Sequence, residues 1–286
     1  MRLVLLLAPS LLLASAAALA GDPAPVDASL TAFKEGDYAK AAGIAEKVGA
    51  DDPAYAKARY LLGEARLAAG DASAAEQAFR ESLAKKADAV PTLAGLGRAL
   101  QAKGSHEEAL KTVQRAVLLD GKDAGARRAL GEVLAAQGKA AEGRKELDQA
   151  VKLDPKDPLT ARALVELCIK ESNLGGALKA AERLVQADDK APMGYFLRGL
   201  VLDKSGMDKE AIEAYEASLA KDPKLLDAHK NLAILCVAKN PLYQDRERTK
   251  KAMEHFEKYF ELGGKDDELK QAYSTMKSFL DSQRGK

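Results

Sequence analysis

The sequence predicts an all-α repeat protein of about seven helix pairs, closed by a C-terminal helix. Three observations carry this reading. A 34-residue period runs through most of the chain, with blocks starting at Asp22, Ala56, Val90, Ala124, Pro158, Pro192 and Leu226. A small residue returns at the eighth position (Gly63, Gly97, Gly131, Gly199, Ala233), glycine at the fifteenth (Gly36, Gly70, Gly104, Gly138, Gly206) and alanine at the twentieth (Ala41, Ala75, Ala109, Ala177, Ala211). Between these markers the apolar residues fall at helical spacing. A period of this length marks stacked units that bury their apolar faces against one another and present an extended surface. Partner binding is therefore the expected function.

The third block shows how one unit is written. Pro91 opens the first helix at a first-turn position. Leu93, Leu96 and Leu100 form its apolar face, with Gly97 allowing close approach. Gly104 ends it. Ser105 is expected to cap the second helix, with Glu108 completing a capping box. Ala109, Leu110, Val113, Ala116 and Val117 then form the buried stripe. The sixteenth position is a capping column, with Asp37, Asp71, Ser105 and Asn173 as acceptors for orphan helix N–H groups. Pro53, Pro155 and Pro223 recur at position thirty-two and stop the second helix. Close-contact positions such as Ala109, Ala211 and Gly131 leave no room for a larger side chain.

Both ends depart from the period. The first block has a weak first helix, Val26 to Lys34, and reads as the frayed or capping end. In the seventh block Ala252 and Phe256 arrive seven residues late. The extra residues fall around Lys239 to Asp245, read as a loop on its Asn240-Pro241 turn signal. A last helix is expected from about Asp267 to Ser282, with Leu269, Tyr273, Met276 and Leu280 as the stripe that covers the final repeat.

The first twenty residues read as a secretory signal peptide: Arg2, an apolar stretch from Leu3 to Leu13, then Ala18-Leu19-Ala20 before Gly21. The domain plan is a signal peptide at 1–20, the repeat array at 21–266, and a capping helix and tail at 267–286. Cleavage would leave 43 basic against 43 acidic groups, since Arg2 is the only charge removed. A balanced chain without Trp offers neither the field nor the stacking surface that nucleic acid requires. The mature protein is expected to be exported, periplasmic or extracellular in a bacterium, without stable membrane insertion. Cys168 and Cys236 share position eleven two repeats apart. Helices are roughly 10 Å thick, so the pair exceeds the ~7 Å Cα limit for a disulfide and reads as two separate buried thiols.

Catalytic chemistry is not indicated. His106 follows a capping serine. His229 and His255 lie on the two helices of the seventh block, without a Cys or carboxylate at ligand spacing. Gly95-Leu96-Gly97 sits inside a helix, so it is close packing rather than a phosphate loop. Asp51-Asp52 and Asp266-Asp267 fall in turns or at helix starts. No enzyme activity, metal or cofactor is expected.

The small, alanine, aromatic and proline columns resemble the tetratricopeptide repeat family, over residues 22 to about 266. The sixth block matches best, through Tyr195, Gly199, Leu202, Gly206, Ala211, Tyr215 and Pro223. Arg198 at position seven, Arg66 at position eleven and Ala45 at the usual Phe position depart from the pattern. The resemblance implies a right-handed solenoid whose first helices line a concave groove, through positions two, five, six, nine, twelve and thirteen. That places Tyr60, Leu61 and Glu64 early in the groove. Arg98, Arg128, Glu132, Arg162 and Glu166 fall in the middle. Met193, Phe196, Leu197, Leu200, Lys230 and Asn231 come late. Lys230 and Asn231 are a fragment of the arrangement by which family members grip C-terminal carboxylates. Tyr60, Phe196 and Leu200 are expected to form an exposed apolar strip. Arg128 and Arg162, one repeat apart, are expected to meet successive carboxylates of an acidic ligand; the competing expectation is that neighbouring Arg and Glu pair with each other. The implied role is an exported adaptor that binds a protein or peptide and supports a cell-envelope complex. A structural accessory subunit of envelope polysaccharide export or surface motility machinery is the alternative.

Overall fold

The computed structural model describes residues 23–238 and 246–284. Among these, fifteen α-helices and no strand are found. The signal-peptide reading at 1–20 and the loop reading at Lys239–Asp245 lie outside the described residues. The chain folds as two compact units that divide between Leu167 and Cys168.

The first unit contains α1 (Pro23–Lys34), α2 (Tyr38–Glu46), α3 (Tyr55–Ala68), α4 (Ala72–Lys85), α5 (Val90–Ala102), α6 (His106–Leu119), α7 (Ala124–Ala136), α8 (Ala140–Leu153) and most of α9 (Pro158–Lys170). The second contains the end of α9, then α10 (Leu174–Ala187), α11 (Pro192–Lys204), α12 (Asp208–Lys221), α13 (Leu226–Ala238), α14 (Arg246–Glu261) and α15 (Asp267–Arg284). Helices α7, α9, α11 and α13 begin on the block starts read from the sequence. The chain forms the helical repeat of a solenoid.

The turn inside each of the first six blocks has one construction. Gly70 sits at φ +84°, a conformation a side chain would penalise. The N–H of Asp71 then reaches back to the Arg66 carbonyl at 2.9 Å, which is the Schellman closure. The same bond, from position sixteen to position eleven, recurs as Ser105 to Leu100, Lys139 to Leu134, Asn173 to Cys168 and Met207 to Leu202. The fifth block makes this turn with Ser172 at φ 59°, which costs an L-residue about 1 kcal/mol.

Capping follows the sixteenth column in part. Asp37, Asp71 and Asn173 accept from the backbone N–H three residues on, at 2.9, 3.0 and 2.9 Å. Ser105 makes no such side-chain bond, so the expected capping box is corrected. Glu108 is drawn away, accepting from Arg80 at 2.6 Å. Asp71→Ala is therefore expected to lower stability by about 1 kcal/mol and Ser105→Ala by little, in parallel thermal melts.

In the second, third, fourth and sixth blocks, an aromatic or branched residue of the second helix (Phe79, Val113, Leu147, Tyr215) lies under the glycine of the first. A Cβ at Gly63 would fall 2.6 Å from the Phe79 ring, and one at Gly199 2.7 Å from the Tyr215 ring. Phe79 and Tyr215 are fully buried. Two buried serines at position twenty-seven tie the second helix back to the start of the first. Ser82 donates to the Ala56 carbonyl at 2.7 Å, and Ser218 to the Pro192 carbonyl at 2.8 Å. Cys168 and Cys236 are buried and are not joined by a disulfide.

Helix α15 packs on α14 as expected for a cap. Met276 is fully buried. Tyr273 stands edge-on to Phe260 at 6.0 Å and donates to Glu257 at 2.7 Å. That bond, with burial, pushes the Tyr273 phenol up to about 12.

Candidate functional site

The face carrying positions five and nine of the first helices is described for each unit by itself. In the first unit it is a run of charge. Glu64 of α3 forms a close ion pair with Arg98 of α5, and the two side chains are 8% and 15% exposed. Burial by itself pulls the Arg98 guanidinium down, but Glu64, Glu132 and the hydrogen bond to Glu64 outweigh it and hold it above its usual value. In α7, Arg128 lies 3.6 Å from Glu132 and 3.6 Å from Asp157. In α9, Arg162 donates to Glu166 at 2.9 Å. Three arginines thus face three glutamates, with Asp157 beside them.

This corrects the reading of Arg128 and Arg162 as open receptors for an acidic ligand. Each guanidinium already faces a carboxylate, and their side chains are only 14% and 12% exposed. The glutamates are the more accessible partners: Glu132 is 31% exposed and Glu166 34%. The physical reason is spacing. Positions five and nine are one helical turn apart, so Arg128 reaches Glu132 and Arg162 reaches Glu166 along the same helix.

Asp157 was not singled out from the sequence. It is buried and caps α9, accepting from the backbone N–H groups of Leu159 and Thr160 at 3.1 Å. Its signal was present: an Asp immediately before Pro158, at the end of the block. Asp123 does the same one repeat earlier, accepting from Ala126 N at 2.7 Å.

The exposed apolar strip is also corrected. Tyr60 and Phe196 are 4% and 3% exposed. Tyr60 covers Phe79 with ring centroids 6.1 Å apart and planes tilted by 48°. Phe196 covers Tyr215 at 5.9 Å and 44°. Both pairs join position five to position twenty-four. Because Gly63 and Gly199 admit the second-helix ring so deeply, its far side must be covered from the first helix. Leu61, Met193 and Leu197 are likewise core residues. Leu200 is half-buried and keeps apolar surface at position nine.

Lys230 and Asn231 close the face in the second unit. Lys230 pairs with Asp266 at 2.8 Å. Burial alone lowers the Lys230 ammonium, but Asp266 and the Tyr259 ring region carry it above its ordinary value. Asn231 lies 3.5 Å from the Tyr215 hydroxyl. Both residues are therefore held by their own chain.

Among the described residues, no group of three or more His, Cys, Asp and Glu is placed to hold a metal ion. No described helix is long and apolar enough to cross a membrane.

The geometry can be set beside known proteins. The chain resembles the crystal structure of TTC0263, a thermophilic tetratricopeptide repeat protein of Thermus thermophilus. That match has 22% identity and a TM-score of 0.57, over 63% of this chain and 97% of that one. It also resembles pilF of Pseudomonas aeruginosa, with 17% identity and a TM-score of 0.53, over 77% and 97% of the two chains. A third match is to the Cut9-Hcn1 hetero-tetramer of APC/C, with 16% identity and a TM-score of 0.54, over 85% of this chain and 48% of that one. These likenesses concern the fold. No curated protein matches the chain. Two sequence models, each described as tetratricopeptide repeat, match residues 32–96 and residues 95–158 with 169–225. With the period, the left-handed turns and the ring-under-glycine packing, these matches show that the chain belongs to the tetratricopeptide repeat family.

Proposed function

We propose that this chain is an exported scaffold or adaptor that binds a protein or peptide along its first helices and supports a cell-envelope complex. Tetratricopeptide repeat folds serve protein or peptide partners, and that coarse role follows from the family. The observation that carries the finer reading is the placement of positions five and nine on successive first helices. In the first unit their side chains run from Glu64 through Arg98 and Glu132 to Arg128, which also lies against the capping Asp157. Along such a run a partner meets Glu132 and Glu166 in the first unit. In the second unit, taken by itself, Leu200 keeps apolar surface at position nine. Export is supported by Arg2, the apolar stretch and Ala18-Leu19-Ala20.

The test uses native protein taken from a cell-envelope extract. Its N-terminus is sequenced and its bound partner is recovered and titrated by calorimetry. The expected start is Gly21. Leu200→Asp is expected to weaken the partner about tenfold or more if Leu200 lies at a binding centre. Lys209→Gln, on the exposed side of α12, is the control. An intact Met1 start in the membrane fraction would remove export. Unchanged affinity in both Leu200→Asp and Glu166→Gln, with the fold intact by circular dichroism, would move the contact off the first helices. The Asn240–Asp245 segment with Tyr243 would then be the next candidate.

A further inference from the structure

The two helices of the seventh block meet through a pair of imidazoles. Nδ1 of His229, on α13, lies 2.9 Å from Nδ1 of His255, on α14. The ring centroids are 5.1 Å apart, and His229 is buried. The other nitrogen of His229, Nε2, lies 3.0 Å from the Pro223 carbonyl.

These contacts assign the protons. A carbonyl only accepts, so Nε2 of His229 carries hydrogen. A neutral imidazole holds one such hydrogen, so Nδ1 of His229 is a lone pair. The contact between the two Nδ1 atoms then needs its hydrogen on His255, which leaves Nε2 of His255 bare. With both rings neutral, each tautomer is set by the partner of its other nitrogen.

The charged groups around the pair are already engaged. Glu216 of α12 acts on His255 but forms a close ion pair with Lys251 of α14. Lys230, beside His229 on α13, is bound by Asp266. Asp227 acts on Lys230 and Tyr259. Asp222 accepts from the backbone N–H of Lys224 at 2.9 Å. Leu232 of α13 and Ala252 and Phe256 of α14 are fully buried.

We propose that His229 and His255 form an acid-operated latch that holds α13 to α14 while both rings are neutral and releases them when both are protonated. A single proton on the pair still leaves one hydrogen between the two Nδ1 atoms, so the bond between the rings is kept. A second proton leaves no acceptor in that bond. Two N–H donors on two cations then face each other across 2.9 Å, and the contact turns repulsive. Burial first, then His229 and Lys251, push His255 down to about 4 from an ordinary 6.5. The sign follows from linkage. An opened state takes up protons before the closed one, so the latch is complete above the ordinary histidine value. Its contribution is lost as the pH falls from there to the depressed value.

The experiment follows the histidine rings of the full chain by two-bond ¹H–¹⁵N NMR, with amide exchange measured in parallel at pH 7.5 and pH 5. His106, exposed on α6, serves as the reference ring. At pH 7.5 the expected spectrum shows His229 as the Nε2–H tautomer and His255 as the Nδ1–H tautomer. At pH 5, protection of α13 and α14, corrected for intrinsic exchange, is expected to fall about tenfold relative to α11 and α12. His229→Gln is expected to remove that pH dependence. If this variant does not fold, the wild-type tautomers and the wild-type loss of protection decide alone. The reverse tautomers, unchanged protection at pH 5, or the same acid loss in a folded variant would overturn the latch. So would stoichiometric Zn²⁺ uptake at pH 7.5 that abolishes the Nδ1–H signal of His255, since the pair would then be metal ligands.

Discussion

Gly131→Leu is expected to cost about 3 kcal/mol, at the upper end of the usual range for overpacking. A Cβ at this position would lie 2.7 Å from Leu147 Cγ and 2.8 Å from the carbonyl oxygen of Gly143. The obstruction is mutual, because a Cβ at Gly143 would lie 2.7 Å from the Gly131 carbonyl. A side-chain tip can swing away, but a helix carbonyl cannot move unless α8 moves with it. Gly175→Ala is the matched control. It sits near the start of α10, where a Cβ would meet nothing within 4 Å, and should stabilise by up to about 1 kcal/mol through helix propensity. Denaturant midpoints of the two variants, read by circular dichroism, test the pair. A Gly131→Leu protein with the wild-type midpoint would mean that α7 and α8 are not packed backbone to backbone.

Removing one partner of the Glu64–Arg98 pair is the second large effect. Glu64→Ala leaves a guanidinium that is mostly out of water without its nearest carboxylate, and breaking such a pair typically costs about 3–5 kcal/mol. The small remaining exposure of the two side chains, 8% and 15%, points to the lower end. Replacing both together, as Glu64→Leu with Arg98→Met, is expected to recover most of the loss, because no charge is then stranded. Glu64→Leu, Arg98→Met, their combination and the wild type form a cycle that isolates the coupling. A Glu64→Ala cost below about 1 kcal/mol would class the pair with exposed surface bridges.

The helices were legible because the markers that start and end them are local. Pro158 and Pro192 open helices where the period places them, and Gly70 and its equivalents take the left-handed turn. Asp37, Asp71 and Asn173 cap where the column runs. What was not legible depends on which side chain reaches across from another helix. Tyr60 and Phe196 lie on the first-helix face by position, yet rings at position twenty-four demand their cover. The second and sixth blocks carry aromatics at both places, Tyr60 with Phe79 and Phe196 with Tyr215, and that match was the available signal. Ser105 has the right chemistry for a cap, but its box partner Glu108 is taken by Arg80. The arginines were read from their type and spacing. Their pairing with Glu132, Glu166 and Asp157 depends on rotamers and on an acid at the end of the preceding turn.

The self-paired charges of the first unit also bear on how fast a partner arrives. Steering requires a field that extends past the Debye length, about 8 Å at physiological salt. Where each guanidinium sits against a carboxylate, the fields cancel within a few ångströms and little reaches the approaching molecule. Encounter on this face is then governed by diffusion and orientation, near the unsteered range of about 10⁵–10⁶ M⁻¹s⁻¹. Differences among its partners would accordingly be written in how long each stays bound.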